Sequence, residues 1–435
     1  MKQKIFGTDG IRELNWSGFL QKESITQLGH ALGSMITQHF VRPASLIIGY
    51  DPRKTSPEIA DLLIHALLAY PITIHHAGMQ PTPVICKLVQ LEQFDLGIII
   101  TASHNSAAYN GIKLVTPQGK LTSDQEELIE QIYYTLQPQV KNTFGTLRPY
   151  TTAASKYQSA LLEKFPHNFL EGISLVVDCA YGAQSFIAPH IFSFFGAKVL
   201  PVAYQPNGSN INQHAGTQHL EHAQAMRTLH QADFAVVFDG DGDRIVLIDE
   251  HNNIFDGDDI LALLITHPEF NKETVAVGTI MSNQGLEHFC ATKGITFVRT
   301  QVGDKFVHQA MKNFSCLLGA ENSGHVIIES FSPCSDALYT ALRCLEILKH
   351  KTTSYPLFEK FSQYSITLPV KEKRSLEDLP LAQIISSFEQ QITPGRLVIR
   401  YSGTEPVLRI MSESKDPDIA KLISELISNL QPHLS

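Results

Sequence analysis

The stretch FDGDGDR, residues 238–244, alternates Asp239, Asp241 and Asp243 with Gly240 and Gly242 directly after the apolar run FAVVF. Glycines let the backbone fold tightly enough for three carboxylates to converge on one hard cation. Oxygen-only ligands favour Mg²⁺, Mn²⁺ or Ca²⁺ over zinc. Three adjacent anions repel one another strongly without a counterion. The four acidic positions of a calcium loop are matched by Asp239, Asp241, Asp243 and Glu250, but Arg244 stands where that loop needs glycine, and the flanks read as strands rather than helices. That reading is rejected; a solvated acidic hairpin turn remains as the bland alternative. Arg244 can cap the carboxylates or reach a phosphate oxygen.

A second site follows the apolar run DLGIII, where TASHNSAAYNGIKLV (101–115) places Ser103, His104 and Asn105 at a strand end with Lys113 beyond. A hydroxyl there offers covalent catalysis. His104 and Asn105 can orient it or donate to an oxyanion, and Lys113 can shuttle a proton or neutralise phosphate charge. Alone, the same triplet reads as a polar turn with Asn105 making an Asx-type bond. A third site is RLVIRYSGTEPVLRIM (396–411), in which Arg400, Ser402, Gly403 and Thr404 precede Arg409. Guanidinium, hydroxyls and glycine-freed backbone suit a phosphate, and a plain hairpin turn with a surface arginine suits the same residues. The fourth is GAENSGH (319–325), where Glu321, Asn322, Ser323 and His325 can hydrogen-bond sugar hydroxyls or an amino group. Standing alone, His325 reads as a structural histidine. Arg12 in FGTDGIR and Arg53 in GYDPRKTS read equally well as ordinary surface charges. His219 and His222, a helix turn apart, make half a metal site with no third ligand evident.

The elements that must position these groups are short apolar runs closed by polar loops: SLIIGYD (45–51), LGIIITAS (96–103), SLVVDCAYG (174–182), FAVVFDGDGD (234–243) and VAVGTIMS (275–282). Helical stretches such as SPEIADLLIHALLAY (56–70) and HLEHAQAMRTLHQ (219–231) lie between them. Strands alternating with helices predict an α/β fold whose ligand groups collect at the carboxyl ends of parallel strands, where Asp51, Ser103, Asp178 and Asp239 fall. The stretch 141–154 reads as a separator, 249–259 as a surface turn between blocks, and 350–375 as a link to a small final domain. No fixed-period repeat is legible.

Composition sets the bounds. A chain of 435 residues is too long for one core and predicts three or four domains. A net charge of −9 argues against the basic footprint of a nucleic-acid or anionic-membrane binder, so an anionic ligand must be held by local cations. The six cysteines lack CxxC spacing and read as reduced core residues. With no signal-like amino terminus and no run near the ~20 apolar residues of a membrane span, the expected location is the cytoplasm.

Taken in order along the chain, FGTDGIR, TASHN…NGIK, PNGSNIN, DGDGDR, VGTIMSN, VGDKFV, ENSGH and RYSGTEP resemble the α-D-phosphohexomutase (phosphoglucomutase/phosphomannomutase) family. The resemblance covers essentially the whole chain. It implies a four-domain α/β architecture, with three similar α/β domains and a smaller carboxyl-terminal α+β domain around a central cleft; the boundaries expected are 1–150, 151–250, 251–365 and 366–435. It further implies that Ser103 carries a phosphoryl group and joins Asp239, Asp241 and Asp243 in holding one Mg²⁺. Arg12 and Lys113 match positions for proton transfer and charge stabilisation, and His325 a sugar-ring contact or acid/base position. His104, Arg244, Glu321 and Ser323 match sugar-phosphate contacts, and Arg400, Ser402, Gly403, Thr404 and Arg409 the distal phosphate clamp. The implied reaction interconverts glucosamine 6-phosphate and glucosamine 1-phosphate through a 1,6-bisphosphate intermediate, with glucosamine or glucose 1,6-bisphosphate as activator. The implied partner is a hexosamine phosphate, with no nucleic acid or membrane, and the assembly a monomer or homodimer. Glu13, Ser106, Tyr109 and Tyr401 depart from the usual pattern, as does CSDALYTAL (334–342). The same chemistry on glucose or mannose phosphates is the nearest rival. A metal-dependent sugar phosphatase using Asp239 as nucleophile, and a silent sugar-phosphate sensor, are rivals of other classes.

Overall fold

The computed structural model describes residues 3–39, 43–137, 145–350, 355–392, 394–401, 406–416 and 419–434. The first block runs β1 (Ile11–Leu14), α1 (Lys22–His39), β2 (Ala44–Tyr50), α2 (Ser56–Leu67), β3 (Ile72–Met79), α3 (Thr82–Leu91), β4 (Leu96–Ile100), β5 (Tyr109–Thr116), β6 (Gly119–Lys120), α4 (Ser123–Thr135) and β7 (Thr146–Pro149). The second runs α5 (Ala153–Leu162), β8 (Ser174–Asp178), α6 (Ala188–Phe194), β9 (Lys198–Val202), α7 (Glu221–His230), β10 (Phe234–Phe238), β11 (Ile245–Ile248) and β12 (Ile254–Phe255). The third runs α8 (Gly257–Ile265), β13 (Val275–Thr279), α9 (Gln284–Thr292), β14 (Thr296–Thr300), α10 (Asp304–Phe314), β15 (Leu318–Ala320), β16 (Val326–Ile328) and α11 (Ala337–Leu348). The last holds β17 (Ser362–Pro369), α12 (Leu381–Glu389), β18 (Gly395–Tyr401), β19 (Val407–Ser414) and α13 (Ile419–Leu434).

The apolar runs β2, β4, β8 and β10 are buried along nearly their whole length, as expected of parallel strands covered on both faces. Strand order is β1-β5-β4-β2-β3-β7 in the first sheet, with β6 on β5, then β12-β11-β10-β8-β9, β14-β13-β15-β16 and β17-β19-β18. One unit recurs in the first three. A strand lies parallel to its neighbour, ends in a polar loop and returns antiparallel: β2/β4/β5, β8/β10/β11 and β13/β15/β16. The intervening loops hold Ser103, the aspartates, and Glu321 with His325. The repeat is topological; variable insertions hide it from sequence period.

The stretch 141–154 is not only a separator. It contains β7, an edge strand parallel to β3, whose solvent-facing residues give no hydrophobic signal. The stretch 249–259 is likewise more than a surface turn, because β12 adds to β11 and Asp258 and Asp259 are buried in the first turn of α8. Strand β17 starts within the expected link 350–375 and pairs with β19.

One apolar core runs continuously through the first three blocks. It joins Ile47, Val84 and Ile99 of the first with Phe192 and Phe238 of the second and Leu263, Leu318 and Leu342 of the third. The last block has its own core, around Leu408, Ile410, Ile423, Leu426 and Leu430. It docks on the loop after β13 through polar groups. Arg396 donates to the carbonyls of Ile280 (2.7 Å) and Ser282 (2.6 Å) and pairs with the buried Glu413, which accepts from the Gln284 amide at 2.7 Å. Asn283 exchanges two 3.0 Å bonds with the backbone of Phe361. Six buried cysteines are free thiols, as the spacing predicts.

Removing Arg396 strands a carboxylate with no solvent access. Arg396→Ala is expected to destabilise the last block by about 3 kcal/mol. Calorimetry should then split its melting from an almost unmoved transition of the three-block core.

Candidate active site

Ser103 is fully buried at the end of β4, in the left-handed region at φ 51°, a conformation that a non-glycine residue holds only under constraint. The constraint is Arg53. Its side chain is buried, and each N–H direction is used. Nε donates to Asp51 Oδ2 (2.8 Å), Nη1 to the carbonyls of Ser106 and Tyr109, and Nη2 to those of Ser103 (3.0 Å) and Asn105 (2.7 Å). Asp51 also accepts from Thr101 Oγ1 (2.6 Å), and that oxygen accepts from the Ser103 amide at 2.9 Å. Arg53 is thus no surface charge but the frame of the serine loop. The departures Ser106 and Tyr109 meet it through their carbonyls, so their side chains are free to vary.

Held this way, Ser103 Oγ donates to Asp239 Oδ2 at 2.6 Å and lies 3.3 Å from His104 Nδ1. Asp239, Asp241 and Asp243 leave β10 in a turn that only glycine permits. A Cβ on Gly240 would stand 2.6 Å from the Ser103 carbonyl oxygen, and one on Gly242 (φ 76°) would stand 2.5 Å from Gln184 Cγ. The three carboxylates are buried, each offering an oxygen within 4.8 Å of the others, and form the one such group among the described residues. His219 and His222 gain no third ligand there. Asp241 Oδ1 is buried without a hydrogen-bond partner. An all-carboxylate set with an unused buried oxygen fits a hard divalent cation.

Lys113 carries the compensating charge. It is buried on β5, where the register sets it opposite Ile99, and its Nζ meets Asp9 (2.9 Å), Asp241 (2.9 Å) and Asp243 (2.7 Å). Burial works against its charge, but Asp241, Asp243 and Asp9 outweigh that and hold its pKa well above the usual lysine value. Asp239, farther from the ammonium, is pushed up to about 7 by burial and by Asp241 and Asp243. Asp9 also pairs with Lys120, which reaches Asp304 at 2.5 Å. The amide of the preceding Gly303 donates to Glu321 Oε1 (2.8 Å), Glu321 Oε2 meets His325 Nδ1 (2.8 Å), and His325 Nε2 meets Asp243 Oδ1 (3.0 Å). A ring of ion pairs and hydrogen bonds therefore runs through all three α/β blocks, closed between Asp304 and Glu321 by the Gly303 amide. Burial opposes the imidazolium, yet Asp243 and Glu321 raise His325 to about 10. His104 is driven the other way, to about 2, by burial and then by Arg244 and Arg12.

The structure brings Ser103, His104, Arg12, Lys113, the aspartates, Arg244, Glu321 and His325 to one place. Arg12 donates to Asn105 Oδ1 (2.9 Å), and the Arg244 amide donates to Asp239 Oδ1 at 3.1 Å. Ser323 is half-buried in the same loop as Glu321. Arg400 and Arg409 face each other across β18 and β19 on the fourth sheet. The guanidinium of Arg409 and burial together lower the Arg400 pKa. Ser402, Gly403 and Thr404 lie outside the described residues. Sequence reasoning missed Asp9, Lys120 and Asp304 as members of the ring and left Asn212 without a role. Asp9 and Asp304 do sit in the quoted motifs FGTDGIR and VGDKFV, which was the available signal.

Four profiles of one family match in order: "Phosphoglucomutase/phosphomannomutase, alpha/beta/alpha domain I" over residues 3–139, domain II over 150–253, domain III over 256–364 and the C-terminal domain over 368–430. Among curated relatives, the phosphoglucosamine mutase of Coxiella burnetii is 36% identical over 442 residues, covering 98% of each chain. That of Teredinibacter turnerae is 36% identical over 439 residues, again covering 98% of each. Among solved structures, a phosphoglucomutase/phosphomannomutase family protein from Burkholderia thailandensis superposes with a TM-score of 0.84 at 22% identity, covering 100% of this chain and 99% of the other. Aspergillus fumigatus N-acetylphosphoglucosamine mutase, in complex with GlcNAc-6P and magnesium, gives 0.69 at 18% identity, covering 100% and 96%.

Lys113→Met removes the ammonium shared by the buried Asp241 and Asp243 and the partly exposed Asp9. In metal-free buffer it is expected to cost about 3–5 kcal/mol of stability, read as a lowered urea midpoint with an unchanged slope.

Proposed function

The chain belongs to the phosphoglucomutase/phosphomannomutase family, and within it we propose that it works as a phosphoglucosamine mutase. It would interconvert glucosamine 6-phosphate and glucosamine 1-phosphate through phosphorylated Ser103 and a 1,6-bisphosphate. The observation that carries this reading is the buried Ser103 hydroxyl 2.6 Å from the first of three clustered aspartates, with a captive lysine alongside. The choice of amino sugar rests on the full-length relatives that bear that name. The sugar phosphate cannot cross a lipid bilayer unaided, which suits a cytoplasmic enzyme.

Each half of the reaction moves one phosphoryl group. The bond from phosphorus to Ser103 Oγ breaks as a bond to the free sugar hydroxyl forms; that hydroxyl gives up its proton and Ser103 Oγ takes one up, so the transfer is proton-neutral. The bisphosphate then turns by about half a revolution, and its other phosphoryl group returns to Ser103. Because such transfers depend chiefly on positioning and charge, the roles divide by placement. Arg12, Lys113 and Arg244 neutralise oxygens near Ser103, and His104 and His325 contact the reacting groups. Glu321 and Ser323 face the sugar. Arg400 and Arg409, with Ser402, Gly403 and Thr404, hold the distal phosphate, and must accept it from either end of the sugar. Asp239, Asp241 and Asp243, with an oxygen of Ser103 or its phosphate, would hold one Mg²⁺. When bound, the ion supplies positive charge to the transferring oxygens.

Incubation with glucose 1,6-bisphosphate is expected to add one phosphoryl mass, mapped to Ser103. Turnover should be faster with glucosamine phosphate than with glucose or mannose phosphate. Ser103→Ala should lose activity on the order of 10³-fold or more, since the covalent route disappears. Faster turnover of a glucose phosphate would reassign the substrate, and net phosphate release by Ser103→Ala would favour the phosphatase rival. Separately, Mg²⁺ at about 100 times its dissociation constant should stabilise the fold by about 2.7 kcal/mol. Asp241→Asn should abolish that gain.

A further inference from the structure

Ser103 and the aspartates belong to different blocks, so transfer requires something to hold the two loops in register. The side-chain links from the first block to the aspartates are Ser103 Oγ to Asp239, Lys113 to Asp241 and Asp243, and Thr82 Oγ1 to Asp241 (2.6 Å); the Thr82 amide also donates to the Asp241 carbonyl at 2.9 Å, which ties the aspartate loop to the start of α3 and not to the serine loop. The side-chain links use the reacting groups themselves. A phosphoryl ester on Oγ has no hydrogen left to give Asp239, and the carboxylates must turn toward any cation they bind. None of the side-chain links can keep the serine loop itself in register through the cycle, and the shared core and the Thr82 amide hold the blocks without gripping that loop.

Asn212 can. Its Nδ2 donates to the carbonyls of Ser103 (2.8 Å) and Asn105 (2.9 Å), the two that Arg53 Nη2 grips from the serine's own side. Asn212 is rooted in the second block. Its amide donates to the Ala180 carbonyl at 2.8 Å, and the Ala180 amide donates at 2.8 Å to Asp178, buried at the end of β8. The Gly216 amide donates to the same carboxylate at 3.2 Å, fastening the far side of the Asn212 loop. The missing Cβ of Gly240, which would fall 2.6 Å from the Ser103 carbonyl oxygen and 2.8 Å from Asn212 Nδ2, lets the aspartate loop close over this joint. No atom in it gains or loses a phosphoryl group, a proton or a metal.

We propose that Asn212 is a positioning residue for phosphoryl transfer, its amide tying the backbone of the serine loop to the block that carries the three aspartates and keeping them in register whether or not Ser103 is phosphorylated. The inference rests on the phosphoserine reading above and assigns Asn212 no contact with substrate.

Asn212 has φ 59°, so alanine would add backbone strain of its own. Asn212→Gly removes the amide while tolerating that conformation, and Asn212→Asp keeps the shape but cannot donate. Each is assayed beside wild type for the rate of Ser103 phosphorylation by glucose 1,6-bisphosphate (quenched, then intact mass), kcat, KM, melting temperature and the Mg²⁺-dependent shift in melting. The expected result is a fall in phosphorylation rate and kcat of about ten- to a hundredfold, the cost of displacing a reacting group by roughly an ångström. KM and the Mg²⁺ shift should stay at wild-type values. Wild-type phosphorylation rates in either folded variant overturn the inference. So does a loss matched by weakened Mg²⁺ response and lower melting temperature, which would make Asn212 merely structural. If wild-type protein itself takes no phosphoryl group on Ser103, the phosphoserine reading fails first.

Discussion

Three carboxylates packed together out of water repel one another, and each also resists desolvation. The three α/β blocks are arranged around relieving that conflict among Asp239, Asp241 and Asp243. The relief comes from Lys113, which reaches across from the first sheet, and from His325, which reaches across from the third. Both are themselves buried, and each has a further carboxylate beside it: Asp9 for Lys113, Glu321 for His325. The chain of compensation stops only where it closes, at Lys120, Asp304 and Gly303. The candidate site between blocks is thereby also a clasp between them, and a change of charge at one residue reaches the others.

The recurring strand unit explains how three separate stretches of chain deliver their groups to this clasp. A buried parallel strand must end in a loop whose backbone groups find partners. In each block the loop is short, because the next strand returns antiparallel alongside. Short loops on rigid strands place their side chains accurately. Where a loop has to bend beyond the ordinary allowed range, as at Ser103, a dedicated side chain pays for it: Arg53, with five donors directed at one carboxylate and four carbonyls.

The last block is attached differently. The first three share a continuous apolar core, which resists relative motion because close-packed interiors deform little. The fourth keeps its own core and meets the third through Arg396, Glu413 and Asn283. Polar joints of this kind can be remade at modest cost. Arg400 and Arg409 ride on the block so attached, which suits the role proposed for them of receiving a phosphate, releasing it and receiving the other end of the sugar.

Among the described residues, the sequence alone determined the parallel strands, because buried strands are apolar throughout, and the polar loops that close them, because Ser103, the three aspartates and His325 directly follow or interrupt such runs. It determined the family too, through motif order. It could not reveal β7 or β12, an exposed edge strand and a two-residue strand with no periodic signal. Nor could it separate Arg12 and Arg53 from surface charges, since a guanidinium's role depends on what surrounds it. Only the tertiary structure decided that Asp9, Lys120 and Asp304 are parts of one ring, that Arg53 and Asn212 hold the same two carbonyls from opposite blocks, and that the three blocks repeat a single strand unit. Those facts are relations between residues far apart along the chain. Spacing in sequence fixes what a loop can offer, while the packing of separate sheets fixes what it meets.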